Sequence, residues 1–391
     1  MSAAPQEGGS GSPGRPATAA QRGSATRLGW VPAFVSIALT LAVMAATGSA
    51  PGALIAGIAA ALLASRGLRT GPRSALIGIV LAAVVDAPFA YSSFNLTQIV
   101  VLAIGAWGLV ILGGQTGQIS VAQGPFVGVG AYTTAVLSAR FGVPLLATIP
   151  VGVVAGAIAG LLIGIPSSRL RGIYQVITTL AVAVSFPTLL LAIGDPVGGS
   201  TGIAVPEPFQ TMQVGSVDLD STQLMYFFAV ACALVVWVAL SRIIWSRHGT
   251  AMRAVRQNEI VAAVNGISVS HYRIASFVLS AACAGLAGSL SAMSVGAVSP
   301  DSFGMLYSIQ FLVAVAVGGA DSLMGGLLGA VAVFLLTTSF SGIPVGGIQV
   351  SNEVVYGLVI ILALVLLKGG IWGALTGVFE SRWLKRAVQM H

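Results

Sequence analysis

The polar side chains best placed to do chemistry fall into two groups, a run of amides at residues 115–123 and a basic stretch at residues 247–266. The first group contains Gln115, Gln118 and Gln123, with Ser120 among them. A glutamine amide offers both a donor and an acceptor, which suits reversible binding of a zwitterionic or amide-bearing solute. These residues therefore indicate recognition without a covalent step.

The sequence shows no catalytic set and no metal site. His248 and His271 lie in the basic stretch and His391 is the last residue, so no pair of histidines has a metal-ligand spacing on a helix. Lys368 and Lys385 have the wrong neighbours for a phosphate-binding loop. We therefore predict no metal, no cofactor and no enzymatic activity. If ATP powers this protein, another polypeptide must hydrolyse it.

The composition is that of a membrane protein. Only 7% of the residues are charged and 56% are hydrophobic, with a mean hydropathy of +0.95, whereas soluble domains carry roughly 25% charged residues. Cys232 and Cys283 lie inside apolar runs, which indicates buried, inert thiols. The predicted fold class is an all-α polytopic bundle of about 10–12 segments of about 20 residues, some of them broken or re-entrant. Apolar segments fall near residues 29–47, 52–66, 74–91, 96–113, 120–138, 144–165, 173–193, 223–244, 274–297, 305–319, 322–343 and 354–368.

The positive charges predict the orientation of the bundle. If the N-terminus is cytoplasmic and the loops alternate, all of the eighteen Lys and Arg residues except Arg140 fall on the inside. Inner-membrane proteins show this bias, so both ends are predicted to be cytoplasmic in a bacterial inner or plasma membrane. The pI of about 9.9 then reflects loops that flank lipid, and nucleic acid is not an expected partner.

We divide the chain into a tail, a membrane domain and a second tail. Residues 1–28 are rich in Ser, Gly, Pro and Ala and are predicted to be a disordered cytoplasmic tail. Residues 29–370 form the membrane domain, with an external loop at 194–222 and a cytoplasmic loop at 245–272. Residues 371–391 are predicted to form an amphipathic helix on the inner leaflet, in contact with lipid.

Small residues recur at four-residue spacing in three places. Gly152, Gly156, Gly160 and Gly164 share one helical face, and the spacing is repeated by Ala281, Gly285 and Ser289 and by Gly325 and Gly329. Small residues let membrane helices approach closely, so we predict tight helix packing at all three places.

The loop at 245–272 has the most specific pattern. The residues from Thr250 to Val264 suit a helix, and Gly266 can provide a left-handed C-terminal cap. Arg253 and Arg256 flank one face, with Glu259 one turn further along. Such a helix between two spans can insert as a lever into a partner, although a solvated basic loop explains the charges equally well.

The spacing of Glu259, Ala262, Ala263 and Gly266 resembles the EAA-type coupling motif of ABC importer permeases. The surrounding sequence is similar to the branched-chain amino acid permease family, LivM-like subgroup. Residues 115–132 resemble that family's G-Q-[IL]-S-x-G-H-x-x-F-x-G-[IV]-G-A-Y stretch, residues 169–174 its R-L-R-G-x-Y turn, and residues 299–303 with the later glycine pairs its C-terminal segment. The resemblance covers roughly residues 85–370.

This resemblance implies a membrane subunit of a binding-protein-dependent ABC importer. Its partners would be two ATPase subunits docked on the coupling helices, a homologous permease chain or a second copy of this chain, and an extracytoplasmic substrate-binding protein. Asp195, Asp218 and Asp220 in the acidic loop at 194–222 are candidate docking residues for that binding protein. Ordinary solvated loop charges are an equally good explanation for each of them.

The sequence departs from the family at Gln123, where many relatives have His, and at Gly124-Pro125. Because Pro125 cannot donate a backbone hydrogen bond, we predict that the helix breaks near these two residues. Broken membrane helices line cavities or are buried in protein. We therefore predict a substrate pathway lined by Gln115, Gln118, Ser120, Gln123 and Tyr132.

The sequence leaves three alternative functions open. The cargo of an ABC permease with these residues could instead be urea, a short amide or another small polar solute. A secondary transporter driven by an ion gradient would need an ionisable group near the midplane, for which Asp86 is the candidate, although Pro88 places Asp86 near the outer interface. A membrane enzyme would need a clustered acid, base or metal set, which the sequence lacks.

Overall fold

The computed structural model describes residues 93–170, 172–209, 212–214, 217–339, 344–345, 348–349, 357 and 370. The apolar segments predicted at 29–47, 52–66 and 74–91, most of 354–368, both predicted tails and Asp86 lie outside the described residues.

The described part is almost entirely helical, with short strand pairs at its turns. The helices are α1 Ser93–Leu109, α2 Gln123–Phe141, α3 Leu145–Ser168, α4 Ile173–Ile193, α5 Ser221–Ile244, α6 Arg247–Gln257, α7 Glu259–Val264, α8 Val269–Val295, α9 Met305–Gly318 and α10 Leu323–Ser339. A π-helical turn, Val110–Gln115, follows α1, and 3₁₀ turns occupy Asp195–Val197 and Pro300–Phe303. The strands are β1 Ile203–Ala204, β2 Met212–Val214, β3 Val217–Leu219, β4 Ala297–Val298, β5 Pro344–Val345 and β6 Ile348–Gln349, paired antiparallel as β1–β4, β2–β3 and β5–β6.

In the part of the chain that the structure describes, six helices are long and apolar enough to cross a membrane. These candidate spans are Ser93–Gln115, Leu145–Ser168, Ile173–Ile193, Ser221–Ile244, Val269–Val295 and Pro300–Gly318. Their positions agree with the predicted segments to within a few residues. The prediction of an all-α, multi-pass membrane bundle is confirmed.

Glycine packing joins α3 to α8 at the centre of the bundle. All four glycines of the α3 stripe are buried against α8. A Cβ built on Gly156 would lie 2.6 Å from the Ala281 carbonyl oxygen and 2.9 Å from the Gly285 Cα. The predicted stripe on α3 and the predicted stripe at 281–289 therefore pack on each other, which allows the two backbones to touch and maximises dispersion contacts.

The third predicted glycine pattern joins α10 to α9. A Cβ on Gly325 would lie 2.9 Å from the Gly318 carbonyl oxygen, so α10 also approaches its neighbour at backbone distance. Trp107 of α1 donates from its indole N–H to the Leu323 carbonyl oxygen at 2.8 Å and ties α10 to α1. The core is thus built from close backbone contacts with a few large side chains between them.

The predicted helix break is present, but it precedes Gly124-Pro125. The π-helical turn ends at Gln115, the chain continues without regular structure from Gly117 to Ala122, and α2 begins at Gln123. Pro125 therefore lies in the first turn of α2. A proline is tolerated there because the N–H groups of the first turn have no intrahelical acceptor. We call residues 116–122 the break segment.

Contacts between residues distant in sequence show which segments meet at each end of the bundle. Arg256 reaches Gly114, and Arg273 reaches Ser168, at the end where the basic loops lie; we call it the basic end. At the opposite end Ile203 pairs with Val298 in the β1–β4 ladder. The structure thus gathers the ends of the predicted inner loops on one side.

The predicted single helix from Thr250 to Val264 was wrong, because the chain breaks at Asn258. Asn258 has φ −160° and ψ 110°, and its side chain accepts bonds from the backbone N–H groups of Ile260 and Val261 at 3.0 and 3.2 Å. An asparagine in this position caps a new helix and competes with continuation of the old one. The loop therefore holds two short helices, α6 and α7.

Candidate functional site

The first functional candidate is the segment formed by α6, α7 and the turn after them, residues 247–267, which we call the coupling segment. Arg253 fastens α6 to the bundle. Its Nη1 donates to the Gln115 side-chain oxygen at 3.2 Å and to the Ile244 carbonyl oxygen at 3.1 Å. One arginine therefore joins the coupling segment to the π-helical turn and to the end of α5.

Arg256 makes a second attachment one turn further along α6. Its Nη1 donates to the Gly114 carbonyl oxygen and lies 2.5 Å from the Asp321 carboxylate. Asp321 follows the glycine pair that ends α9, so this arginine connects α6 to both the π-helical turn and the α9–α10 connection. The Arg256 side chain is 41% exposed. Because an ion pair this open to solvent adds little to stability, its main effect is to orient α6 relative to the α9–α10 connection.

Glu259 begins α7 and forms an ion pair with Arg273 at the start of α8. The Arg273 Nη2 lies 3.0 Å from the Glu259 carboxylate, and its Nη1 donates to the Ser168 carbonyl oxygen at 3.1 Å. Arg273 is 8% exposed, so its charge depends on these partners. Removing one partner of a buried pair costs about 3–5 kcal/mol.

The outer face of α7 is apolar and exposed. Ile260 is 74% exposed, Val261 55% and Val264 83%, whereas Ala262 is buried beneath them. Ala263 also lies on the exposed side. Exposed aliphatic side chains grouped on a short helix mark a surface that another protein can cover.

Gly266 ends α7 as the sequence predicts. Its φ is +79°, its N–H donates to the Ala263 carbonyl oxygen at 3.0 Å, and the Ile267 N–H donates to the Ala262 carbonyl oxygen at 3.0 Å. These two bonds define a Schellman turn. The turn reverses the chain so that α7 folds back towards the start of α8.

The second functional candidate is a buried polar cluster around Gln118 in the break segment. The Gln118 Nε2 lies within hydrogen-bonding distance of Thr116 Oγ1 at 3.0 Å, Arg273 O at 3.1 Å and Ser276 Oγ at 2.9 Å. Its Oε1 accepts a bond from Gln175 Nε2 of α4 at 3.1 Å. Because both polar atoms of the Gln118 side chain are hydrogen-bonded, the cluster fixes the break segment between α8 and α4.

The remaining predicted pathway residues are also buried in this conformation. Gln123 donates to the Gly105 carbonyl oxygen at 2.8 Å and accepts from Ser280 at 3.2 Å, which joins α2 to α1 and α8. Ser120 accepts a bond from the Ala122 N–H at 3.2 Å. The Tyr132 hydroxyl is buried without a hydrogen-bond partner among the described residues.

The structure therefore brings Gln115 together with Arg253, and Gln118 together with the basic end of α8, but places Tyr132 elsewhere along α2. Sequence reasoning missed Arg273, Asp321 and Gln175. Each contacts its partner only because distant segments fold together. The spacing of residues along the chain therefore does not predict these contacts.

The three acids of the predicted docking surface lie on three separate elements. Asp195 begins a 3₁₀ turn, and its carbonyl oxygen accepts a bond from Arg140. Asp218 lies in β3 opposite Gln213. Asp220 precedes α5, where its N–H donates to the Gln223 side chain at 3.2 Å.

Comparison with known proteins gives a consistent result. A family model described as the permease component of branched-chain amino acid transport systems matches residues 91–386. The chain is 32% identical over 244 residues to the high-affinity branched-chain amino acid transport system permease protein LivM of Escherichia coli, which covers 57% of each protein. The LivM protein of Salmonella typhimurium is 32% identical over 255 residues, or 60% of each. The chain thus matches about three-fifths of the length of these relatives.

More distant relatives include a probable LivH permease of Methanocaldococcus jannaschii, 27% identical over 70% of this chain and 88% of its own length. The D-allose transport system permease AlsC of Escherichia coli is 26% identical over 59% of this chain and 69% of its own. No solved structure matches the chain significantly. Because the family model spans residues 91–386 of the 391, the chain belongs to the family of branched-chain amino acid transport system permease components.

Proposed function

We propose that this chain is the membrane-spanning permease subunit of a binding-protein-dependent ABC importer that translocates branched-chain or related amino acids. Separate ATPase subunits drive alternating access. The observation that carries the proposal is the coupling segment, whose apolar face of Ile260, Val261 and Val264 is exposed while Arg253, Arg256 and Glu259 are bonded into the bundle. Family membership supports the cargo class.

In this proposal the residues of the coupling segment have three roles: contact with an ATPase subunit, the shape of α7, and transmission of movement to the bundle. Ile260 and Val264 enter a groove on an ATPase subunit, and Ala262, Ala263 and Gly266 give α7 its compact shape. Arg253, Arg256 and Glu259 transmit the movement, because they are bonded to the π-helical turn, to the α9–α10 connection and to α8. A lever needs both a free face and fixed attachments, and α6 and α7 have both.

The proposed path of the solute follows the break segment. Gln115, Gln118, Ser120, Gln123 and Tyr132 are buried in this conformation and become accessible when the surrounding helices separate during the cycle. Broken helices in transporters supply polar groups at membrane depth in this way. The unpaired Tyr132 hydroxyl is available to the solute without first giving up another bond.

The proposed orientation places the basic end in the cytoplasm of a bacterial cell, with the chain in the inner or plasma membrane. The binding protein then docks at the opposite end, where Asp195, Asp218 and Asp220 lie. A homologous permease chain, or a second copy of this one, completes the path. Lipid covers apolar faces such as that of α3, where Val154 and Leu162 are 55% and 68% exposed.

The test is uptake by the complete complex reconstituted in proteoliposomes with its ATPase subunits, partner permease and binding protein. Labelled leucine should enter only with ATP, and uptake should persist when an ionophore dissipates ion gradients. Unlabelled isoleucine and valine should compete, whereas urea and allose should not. Loss of uptake on adding the ionophore at constant ATP would show an ion-coupled transporter instead.

A further inference from the structure

Helix α4 differs from α3 in how it is held. Its buried face runs through Gln175, Thr179, Ala183, Phe186 and Leu190, and the other faces are largely exposed. No glycine stripe locks α4 to a neighbour as the α3 stripe locks α3 to α8.

Both ends of α4 are glycine joints. Gly172 has φ +55° with ψ −125°, and Gly194 has φ +75° with ψ −135°. A Cβ at either position would meet nothing within 4 Å, so neither glycine is explained by close packing. Glycine is required here by the backbone conformation alone. Joints of this kind absorb the backbone rotation when a helix moves.

Polar bonds to the break segment hold the basic half of α4. Gln175 donates to the Gln118 Oε1 at 3.1 Å, and Thr179 Oγ1 accepts from the Val121 N–H at 3.1 Å. Both lie within the first two turns after the Gly172 joint. Movement of the break segment therefore acts on α4 beside its hinge.

Arg273 connects this tether to the coupling segment. Its guanidinium pairs with Glu259 of α7 and donates to the Ser168 carbonyl oxygen at the end of α3, just before the hinge. Its own carbonyl oxygen lies 3.1 Å from Gln118 Nε2. The bonded sequence Glu259, Arg273, Gln118, Gln175 thus runs without interruption from α7 to α4.

We infer that Arg273 and Gln118 form a relay through which displacement of α7 swings α4 about its glycine joints, while α3 and α8 move as one body. Arg273 is a positioning residue here, because it acts on α4 through Gln118, and Gln118 combines this role with its proposed place in the solute path. Arg273, Gln118 and Gln175 are each at least nine-tenths buried, so solvent cannot readily replace a hydrogen bond that is broken among them. The inference rests on the proposed function, since it assumes that an ATPase subunit moves α7.

The first experiment measures the movement itself in the unmodified relay. Spin labels at Leu162 of α3 and Val184 of α4, both exposed, report the α3–α4 distance in the whole complex in nanodiscs. Cys232 is replaced by Ser to prevent its labelling. We expect the distance distribution to shift between the nucleotide-free complex and the complex held with a non-hydrolysable ATP analogue. An unchanged distribution would overturn the inference.

The second experiment cuts the relay. Gln175→Leu removes the amide that reaches Gln118, and Gln98→Leu is the matched control, because Gln98 donates between helices to Ser294 at 3.1 Å outside the relay. Gln175→Leu should lower leucine uptake about tenfold or more while ATP hydrolysis stays within about twofold. Gln98→Leu should change neither rate beyond about twofold.

The outcomes separate the relay from simple packing. Loss of both activities in Gln175→Leu would make Gln175 a structural residue and overturn the relay, as would normal uptake. In the double variant Glu259→Gln with Gln175→Leu, which changes the two ends of the relay, an uptake loss equal to the larger single loss supports one shared path, and additive losses contradict it. If the unmodified complex takes up leucine with ATP but α4 stays fixed, only the relay fails; if it shows no ATP-driven uptake, the proposed function fails.

Discussion

Gly266 shows how one residue controls the direction of the coupling segment. Its φ of +79° closes the Schellman turn that returns α7 towards α8, and no neighbour lies within 4 Å of a Cβ built there. A side chain would therefore strain the backbone without clashing. The turn, and with it the angle at which Ile260 and Val264 face outwards, depends on this one conformation.

We predict that Gly266→Val uncouples transport from ATP hydrolysis. Gly142, with φ +63° between α2 and α3 and nothing within 4 Å, is a matched control, because Gly142→Val imposes the same kind of strain away from the coupling segment. Each change should destabilise the fold by about 1–2 kcal/mol. Leucine transported per ATP should fall only in Gly266→Val. Equal ratios in the two variants would remove Gly266 from the coupling machinery.

We predict that the Tyr132 hydroxyl contributes to solute passage and not to the stability of the fold. Its hydroxyl is buried without a described partner, a state that costs about 1–3 kcal/mol. Tyr132→Phe should therefore leave the thermal stability of the complex unchanged or higher, yet slow leucine uptake if the hydroxyl serves the solute. Tyr174→Phe, at an exposed position on α4, provides the control. Uptake by Tyr132→Phe equal to that of the control would exclude Tyr132 from the path.

Single residues were predictable where their role is local. The cap at Gly266 follows from a glycine after a helical run. Arg273 was not predictable, because its carboxylate partner lies fourteen positions earlier and meets it only after the chain reverses at Gly266. Gln118 was recognised as important, but its bonds to α8 and α4 depend on packing that no spacing rule encodes.

At the level of elements, stripes of small residues explain why α3 and α8 pack at backbone distance. Both stripes were visible in the sequence, because four-residue spacing of small residues is typical of the packed face of a membrane helix. Their mutual pairing follows from the fold. The division of the coupling loop into α6 and α7 was not predicted. The Asn258 side chain can either cap a new helix or lie within a continuous one, and a run of helix-forming residues does not show which conformation is more stable.

We predict that Gly156→Val separates α3 from α8. A Cβ at this position would lie 2.6 Å from a backbone oxygen of α8, and a backbone cannot retract without moving the whole helix. The cost should be about 1–3 kcal/mol or more, seen as a lower melting temperature in detergent. Val154→Ile, on the exposed face of α3, should leave the melting temperature unchanged. A stable Gly156→Val protein would show that the stripe is not a packing surface.

On the scale of the whole molecule, two forms of attachment coexist. Close backbone contact at small residues joins α3 to α8 and, separately, α9 to α10. Hydrogen bonds and ion pairs at the basic end connect the coupling segment to the π-helical turn and, through Arg273, to the break segment. A transporter driven from one end needs both properties. The fold class and the helix positions in the described part followed from hydropathy and charge, and motif spacing indicated the segment that we propose for coupling. The contacts that attach this segment to the bundle did not follow, because most of them join segments far apart in the chain, as Arg256 with Gly114 and Arg273 with Ser168 do.

The most direct test of this account is to identify what touches the outer face of α7. A photo-reactive amino acid at Val264, which is 83% exposed, should cross-link in the native membrane to an ATP-binding subunit. The same probe at Val235, 70% exposed on the membrane-facing side of α5, should cross-link to no such subunit. A Val264 probe that never captures an ATP-binding protein, in cells that still take up leucine, would contradict the account.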